Sequence, residues 1–439
     1  MKKSAQHRSW TRNLSLRSAT AALAMAIVFA LTVVTQSVQA QTFKVLHTFT
    51  GGTDGGLPVR GLTMDRAGNL YGTTVDGGYY GGDCANYGCG SAFKLVRSGS
   101  GWIFDTLYDF RGGYDGVHPS SRPVIGPDGS IYGTTYKGGM GTCDPYGDAC
   151  GMVFKLTPPP VACKSALCGW NETVLYRFSG GSDGGSPSGD PIFDQAGSLY
   201  GTAENGGYGS GVVFKLTPSG GSWTESVLYA FPNNEQGPVF PGNGVIFDNS
   251  GNLIGVTEGG GGSYEGTLFE LIPSQYGWNL SLLYQFNQLS GANPSGALVL
   301  DAAGTLYGTT SYEGASDCGT AYAFTPSGGG WNFSVLYNFA GGSPSCGPLG
   351  GLIMDAAGNL YGTTERTGAY QQGVVFKLTP VNGGWTYTSL HDFTGGADGS
   401  EPWSTLVLDA EGNLYGTTTI GAGQGCNGTG CGVVWEITP

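Results

Sequence analysis

Four aspartates stand in one recurring phrase, G-G-x-D-G-x-x-P, at Gly51–Pro58, Gly112–Pro119, Gly180–Pro187 and Gly395–Pro402. Asp54, Asp115, Asp183 and Asp398 offer carboxylates there, and Tyr79, Tyr80, Tyr87, Tyr146 and Trp403 in nearby segments offer stacking surfaces. Carboxylates beside aromatic faces suit a sugar or a cationic ligand. The competing reading is that each Asp closes an Asx turn and each Tyr fills space between loops, and on sequence grounds both stand. Histidine narrows the chemistry. His47 and His391 fall within strand-like segments and read as packing residues, and His118 alone lies on a loop of this kind. A Ser-His-Asp set or a multi-histidine metal site therefore has little to work with, whereas carboxylate-only glycosidase chemistry stays open. Calcium held by Asp and backbone carbonyls also stays open, but no EF-hand spacing is present, and neither a metal nor a cofactor is expected.

Ten cysteines, an even number, point to disulfides in an exported protein. Four close pairs stand out: Cys84 with Cys89, Cys143 with Cys150, Cys163 with Cys168, and Cys426 with Cys431. The remaining two, Cys318 and Cys346, form the fifth expected pair. Zinc is the competing use, but the spacings are not C-x-x-C.

These residues hang on a repeat. The phrase Y-G-T-T or a close variant starts at Tyr71, Tyr132, Tyr200, Ile254, Tyr307, Tyr361 and Tyr415, at spacings of 61, 68, 54, 53, 54 and 54 residues. Such a period means a repeat architecture. Each copy reads as four strands: a short apolar segment ending in Asp, the Y-G-T-T strand after a D-x-x-G-N turn, a strand like Gly373–Leu378, and one like Trp385–Phe393. The turn aspartates, Asp65, Asp194, Asp248, Asp301, Asp355 and Asp409, read as hairpin chemistry rather than as a catalytic row.

The phase of the cut decides the fold. The segment Val45–Phe49 is a fourth-strand phrase, and the chain stops after a third-strand phrase, Gly432–Ile437. Lending the first fragment to the last copy completes seven units, so the expected fold is all-β, a seven-bladed β-propeller closed by pairing of its N- and C-terminal strands. An open solenoid has no reason for that phase.

The linked phrases D-A-A-G-N-L-Y-G-T-T, G-V-V-F-K-L-T-P and W-x-x-x-x-L-Y-x-F closely resemble the bacterial GloVer tandem repeat, from about Phe43 to Pro439. The resemblance implies an exported surface protein, with no catalytic residues to carry over. Members often bear C-terminal anchors, whereas this sequence stops at Pro439 directly after its last strand, so release into the periplasm or medium is expected. A looser likeness to propeller repeats of exported lyases and lactonases keeps an enzyme reading open.

Residues 1–40 read as a signal peptide: Lys2, Lys3, Arg8, Arg12 and Arg17, then an apolar stretch from Ala21 to Val34, then Val38-Gln39-Ala40 as a cleavage site. Residues 41–439 form the propeller domain. Without the leader, 14 basic face 32 acidic residues, a net charge of −18. Nucleic acid and anionic lipid would be repelled. A glycan or an envelope component is the expected partner, with no membrane span in the mature chain and a monomeric state.

In ring order the four intact G-G-x-D-G-x-x-P loops and three cysteine-pinned loops fall on one arc, around the seventh, first and second units. The site expected there comprises Asp54, Tyr79, Tyr80, Asp115, His118, Tyr146, Asp398 and Trp403, while Tyr264 and Tyr312 on the opposite arc should matter little. The function expected is non-catalytic binding by an exported protein, with a carboxylate-dependent extracellular enzyme (glycosidase, lyase or lactonase-like) as the alternative.

Overall fold

The computed structural model describes residues 41–439 except 100, 140, 144–149, 160–168, 235–236 and 342–345. Contacts gather Phe43–Thr438 into one unit, described below, and Met1–Thr42 with Pro439 into another, of which only Gln41, Thr42 and Pro439 are described.

Among the described residues seven antiparallel sheets form the blades of a β-propeller, six of four strands and one, blade two, with the short strand Val117–Pro119 as a fifth. Blade one runs Leu62–Met64, Leu70–Thr74, Ser91–Ser98 and Gly101–Asp109, and blades two to six repeat that order through Asp392. Blade seven takes Val407–Leu408, Leu414–Thr418 and Val433–Thr438, then pairs the last of these with Thr42–Thr48. The expected closure is therefore present, and Phe49 N–H donates to the Gly432 carbonyl at 3.1 Å just beyond the strand. The described residues contain no α-helix and no helix long and apolar enough to cross a membrane.

Local chemistry explains the repetition. In the D-x-x-G-N turn, one Asp65 oxygen accepts the Ala67 and Asn69 amides at 2.9 Å each, and the other accepts Asn69 Nδ2 at 2.8 Å and the Tyr71 hydroxyl at 3.0 Å. Asp194, Asp301, Asp355 and Asp409 repeat the bond from the Y-G-T-T tyrosine. These carboxylates are consumed by their own hairpins, as expected. The glycine of Y-G-T-T is required because the aromatic ring of the neighbouring third strand lies over it. A Cβ on Gly133 would stand 2.6 Å from Phe154, one on Gly201 2.6 Å from Phe214, and one on Gly362 2.7 Å from Phe376. Core clusters then form between adjacent blades, such as Phe49, Leu62, Phe93 and Val434 across the closing seam.

Disulfides join Cys84 to Cys89, Cys143 to Cys150, Cys426 to Cys431, and Cys318 to Cys346. The Cys163–Cys168 pair lies outside the described residues. Cys318–Cys346 spans 28 positions, so chain entropy assigns it about 3–4 kcal/mol. The double variant Cys318→Ala, Cys346→Ala is expected to lose about that much in equilibrium denaturant unfolding, and a loss below about 1 kcal/mol would contradict the entropic account.

Candidate functional site

The loops after second and fourth strands share one face, and the four phrase aspartates all lie there. Each is tied to its own loop. Asp115 accepts the Tyr108 hydroxyl at 2.6 Å and the Arg111 amide at 2.7 Å, and Asp183 accepts Tyr176 at 2.9 Å and the Ser179 amide at 2.8 Å. In blades six and seven the tyrosine is histidine: His47 meets Asp54 and His391 meets Asp398, both at 3.2 Å. The histidines are thus loop-locking as well as packing residues, stacked on Phe104 and Phe43 at 3.8 Å. Burial holds the His391 ring below its ordinary pKa against the pull of Asp398.

The coincidence of cysteines with these loops has a packing cause. A Cβ on Gly51 would stand 2.9 Å from the Cys431 sulfur, one on Gly112 3.2 Å from that of Cys84, and one on Gly180 2.6 Å from that of Cys143. Each bridge lies against the two-glycine start of the next loop, so the arc is one recurring structural module. The paired signals are not independent marks of a ligand.

Of the remaining expected residues, Tyr80 stands close enough to Asp54 and Asp76 to feel both charges. Tyr80 donates to the Gly51 carbonyl at 2.6 Å with its ring half exposed, and Tyr79 lies under the Arg111 guanidinium at 5.9 Å. His118 takes a left-handed backbone (φ 56°) with its ring 4.0 Å from Asp76, whose carboxyl burial pushes up to about 6. Tyr146 lies outside the described residues. Trp403 turns to the axis, where its Nε1 is buried without a hydrogen-bond partner. Exposed tyrosines also extend well beyond the arc: Tyr208 is 74 % exposed, Tyr370 58 % and Tyr264 50 %, against 50 % for Tyr80.

What the sequence reading missed is the axial mouth. The residue after Y-G-T-T is Val75, Tyr136, Glu204, Glu258, Ser311, Glu365 or Thr419 around the ring. Its amide donates to the carbonyl of the residue before the loop proline, as Glu204 does to Ser186, Glu258 to Phe240 and Thr419 to Glu401. That pre-proline residue has positive φ in Leu57, His118, Ser186, Phe240, Asn293 and Glu401, a strained ring of backbone on this face. Glu204 and Glu258 converge: a Cβ on Gly242 would meet Glu258 Oε1 at 2.7 Å and Glu204 Oε1 at 2.9 Å. Burial, then the Glu204 charge, push Glu258 up to about 7 against the pull of Arg60. Ser188 donates to Glu204, and Tyr136 reaches it at 3.4 Å. Across the ring, Arg366 grips Glu401 at 2.6 Å beside Glu365, which burial raises to about 7. The signal was present as glutamate at three of seven equivalent positions, but a residue compared along one copy does not display a ring.

The model of the Gloeobacter/Verrucomicrobia repeat family matches residues 146–347 and 331–439. No curated protein sequence matches. Among solved structures, an ulvan lyase, a polysaccharide lyase, is 11 % identical, with 90 % of this chain and 95 % of that one covered and a TM-score of 0.53. The extracellular domain of a one-component system from B. thetaiotaomicron is 11 % identical, with 90 % of this chain but only 40 % of that one covered and a TM-score of 0.50. At this identity the likeness is one of fold.

Proposed function

The chain belongs to the Gloeobacter/Verrucomicrobia repeat family, and from that premise we propose that it is an exported, non-catalytic binding protein whose variable-loop face takes up a glycan. The observation that carries this reading is the gathering of exposed rings on one face of a rigid scaffold: Tyr79, Tyr80, Tyr114, Tyr208, Tyr264 and Tyr370 all lie on loops after second or fourth strands. Tyrosines present flat apolar surface at low entropic cost, with a hydroxyl at the edge for hydrogen bonding. The four disulfides fit an oxidising compartment outside the cytoplasm, and the acidic chain favours neutral over anionic glycans. The exposed-domain and polysaccharide-lyase neighbours are in keeping with such a setting.

The test is a glycan array on residues 41–439, followed by alanine replacement of Tyr80, Tyr208, Tyr264 and Tyr370. A bound glycan without product is expected, with losses of about 1–3 kcal/mol from those tyrosines that contact it centrally. Absence of binding across the array, or no loss from any of the four, would end the reading. The alternative is a carboxylate-dependent enzyme, favoured by the convergence of Glu204 and Glu258. Product release from a polysaccharide panel, abolished by Glu258→Gln, would establish it instead.

A further inference from the structure

The exposed tyrosines of the loop face are not equivalent. The rings and hydroxyls of Tyr87, Tyr208, Tyr264 and Tyr370 make no hydrogen bond, ring stack or cation contact among the described residues. Three others are held. The Tyr79 ring lies 5.9 Å from the Arg111 guanidinium and the Tyr114 ring 5.7 Å from that of Arg177, both within cation–π reach. Arg177 also donates to the Tyr114 carbonyl, from Nε at 3.3 Å and Nη2 at 3.0 Å, and the Tyr80 hydroxyl is fixed on the Gly51 carbonyl. The loops that carry these rings are tied to one another. Gly78 N–H donates to the Gly52 carbonyl at 2.8 Å, Gly113 N–H to Asp83 Oδ2 at 3.1 Å, and Gly139 N–H to the Gly113 carbonyl at 2.7 Å. Cys84–Cys89 closes the loop of blade one between them. The bonds thus run from the junction of blades seven and one, across blade one, to blade two.

A free side chain gives up rotamer freedom when a ligand stacks on it, whereas a ring already held gives up less. The held rings are also accessible. Tyr114 is 70 % exposed with a guanidinium over one face, which leaves the other face to solvent, and Tyr79 keeps 44 % of its surface open. Resting on the glycan reading, we propose that the glycan lies across the junction of blades one and two, as a neutral, unbranched oligosaccharide stacked on Tyr79 and Tyr114. Arg111 and Arg177 position the two rings. One sugar ring covers one tyrosine, so two rings on separate loops serve different units of one chain. The charge around them sets the class. Asp54 and Asp76 act on Tyr80, and Asp83 and Asp115 belong to the loops that carry Tyr79 and Tyr114, against the two arginines. An acidic sugar would therefore meet a surplus of negative charge that a neutral one does not feel.

Calorimetric titration of residues 41–439 with cellotetraose, xylotetraose, laminaritetraose and maltotetraose, and with tetragalacturonate as the acidic counterpart, tests the placement. At least one neutral tetrasaccharide is expected to bind about tenfold or more tightly than its monosaccharide and than tetragalacturonate. Tyr79→Ala and Tyr114→Ala should each weaken it about tenfold, whereas Tyr264→Ala and Tyr370→Ala should leave it within about twofold. Arg111→Met should weaken it several-fold by freeing the Tyr79 ring, and Arg111→Lys, which keeps a cation over that ring, should recover most of the loss. All the substituted side chains are exposed, and unchanged melting temperatures check that each variant folds. Losses from Tyr264→Ala or Tyr370→Ala as large as those from Tyr79→Ala and Tyr114→Ala would overturn the placement. So would an Arg111→Lys affinity no better than that of Arg111→Met, tighter binding of tetragalacturonate, or no heat with any neutral tetrasaccharide. A glycan bound on the array in any of those cases leaves the glycan reading itself standing, so the two fail separately.

Discussion

Deletion of Thr42–Phe49 abolishes cooperative folding of the ring or lowers its melting temperature by well over 10 °C, and the remaining material associates. The segment is the outer strand of blade seven, paired to Val433–Thr438, so its loss unpairs that strand's outer edge. An exposed edge recruits other chains. The packing loss adds to it. Phe49 is 2 % exposed and meets Phe93 edge-on at 5.2 Å, and Phe43 stacks on His391 at 3.8 Å. Removing one buried Phe side chain costs about 3–5 kcal/mol, a large part of the 5–15 kcal/mol that usually holds a domain folded. A shift of about 1 kcal/mol moves a chain of this size by roughly 2–4 °C or less, so the strand pairing and two rings together account for the predicted size. The single variant Phe49→Ala, with pairing retained, should show an intermediate loss. A truncated chain that melts as the intact one does, as a monomer, would mean that closure contributes nothing.

The closure was legible because it is a matter of counting: a fourth-strand phrase at Val45–Phe49 has no other blade to complete. The hairpin aspartates were legible because Asp, Gly and Asn at fixed offsets have local chemistry, and Asp65 meets its partners within six residues. The Cys318–Cys346 bridge was legible as the two cysteines left by the close pairs, and strand parity makes it possible by placing both loops on one face. Other features depend on where neighbouring blades fall. The arc of loops and cysteines drew attention as a site, but the sulfurs of one blade pack on the glycines of the next loop, a contact that no single repeat contains. Glu204 and Glu258 are 54 positions apart and meet only because consecutive blades turn the same position toward the axis.

Acidification from pH 8 to about pH 5 stabilises the protein, and acidification below about pH 4 then destabilises it. Five carboxyls lead the first limb: Glu172, Glu225, Glu258 and Glu365 are each raised to about 7, and Asp76 to about 6. Burial is the leading cause in all five, followed by Asp115 for Glu172 and Asp183 for Glu225. Glu172 Oε1 and Glu225 Oε1 are buried without a hydrogen-bond partner, so no hydrogen bond to these oxygens offsets their desolvation when ionised, and the Arg177 charge offsets that of Glu172 only in part. A carboxyl whose folded pKa lies above its unfolded value near 4.5 binds more protons when folded. Its stabilising contribution is full below about 4.5 and is lost as pH rises through about 7. The turn aspartates act in the opposite sense. Burial would raise Asp65 and Asp355, but bonds from Asn69 and Asn359 and from Tyr71 and Tyr361 outweigh it and hold both below 3.8, so their contribution is present above that value and lost below it. Thermal melts from pH 8 to 3 should therefore peak near pH 5, with a rise of several degrees on the alkaline side. The double variant Glu172→Gln, Glu225→Gln removes two of these titrating groups and should make that limb clearly shallower while raising the melting temperature at pH 8. A wild-type profile that is level from pH 8 to 5, or a variant whose slope matches the wild type, would mean that these carboxyls ionise in the fold at little cost.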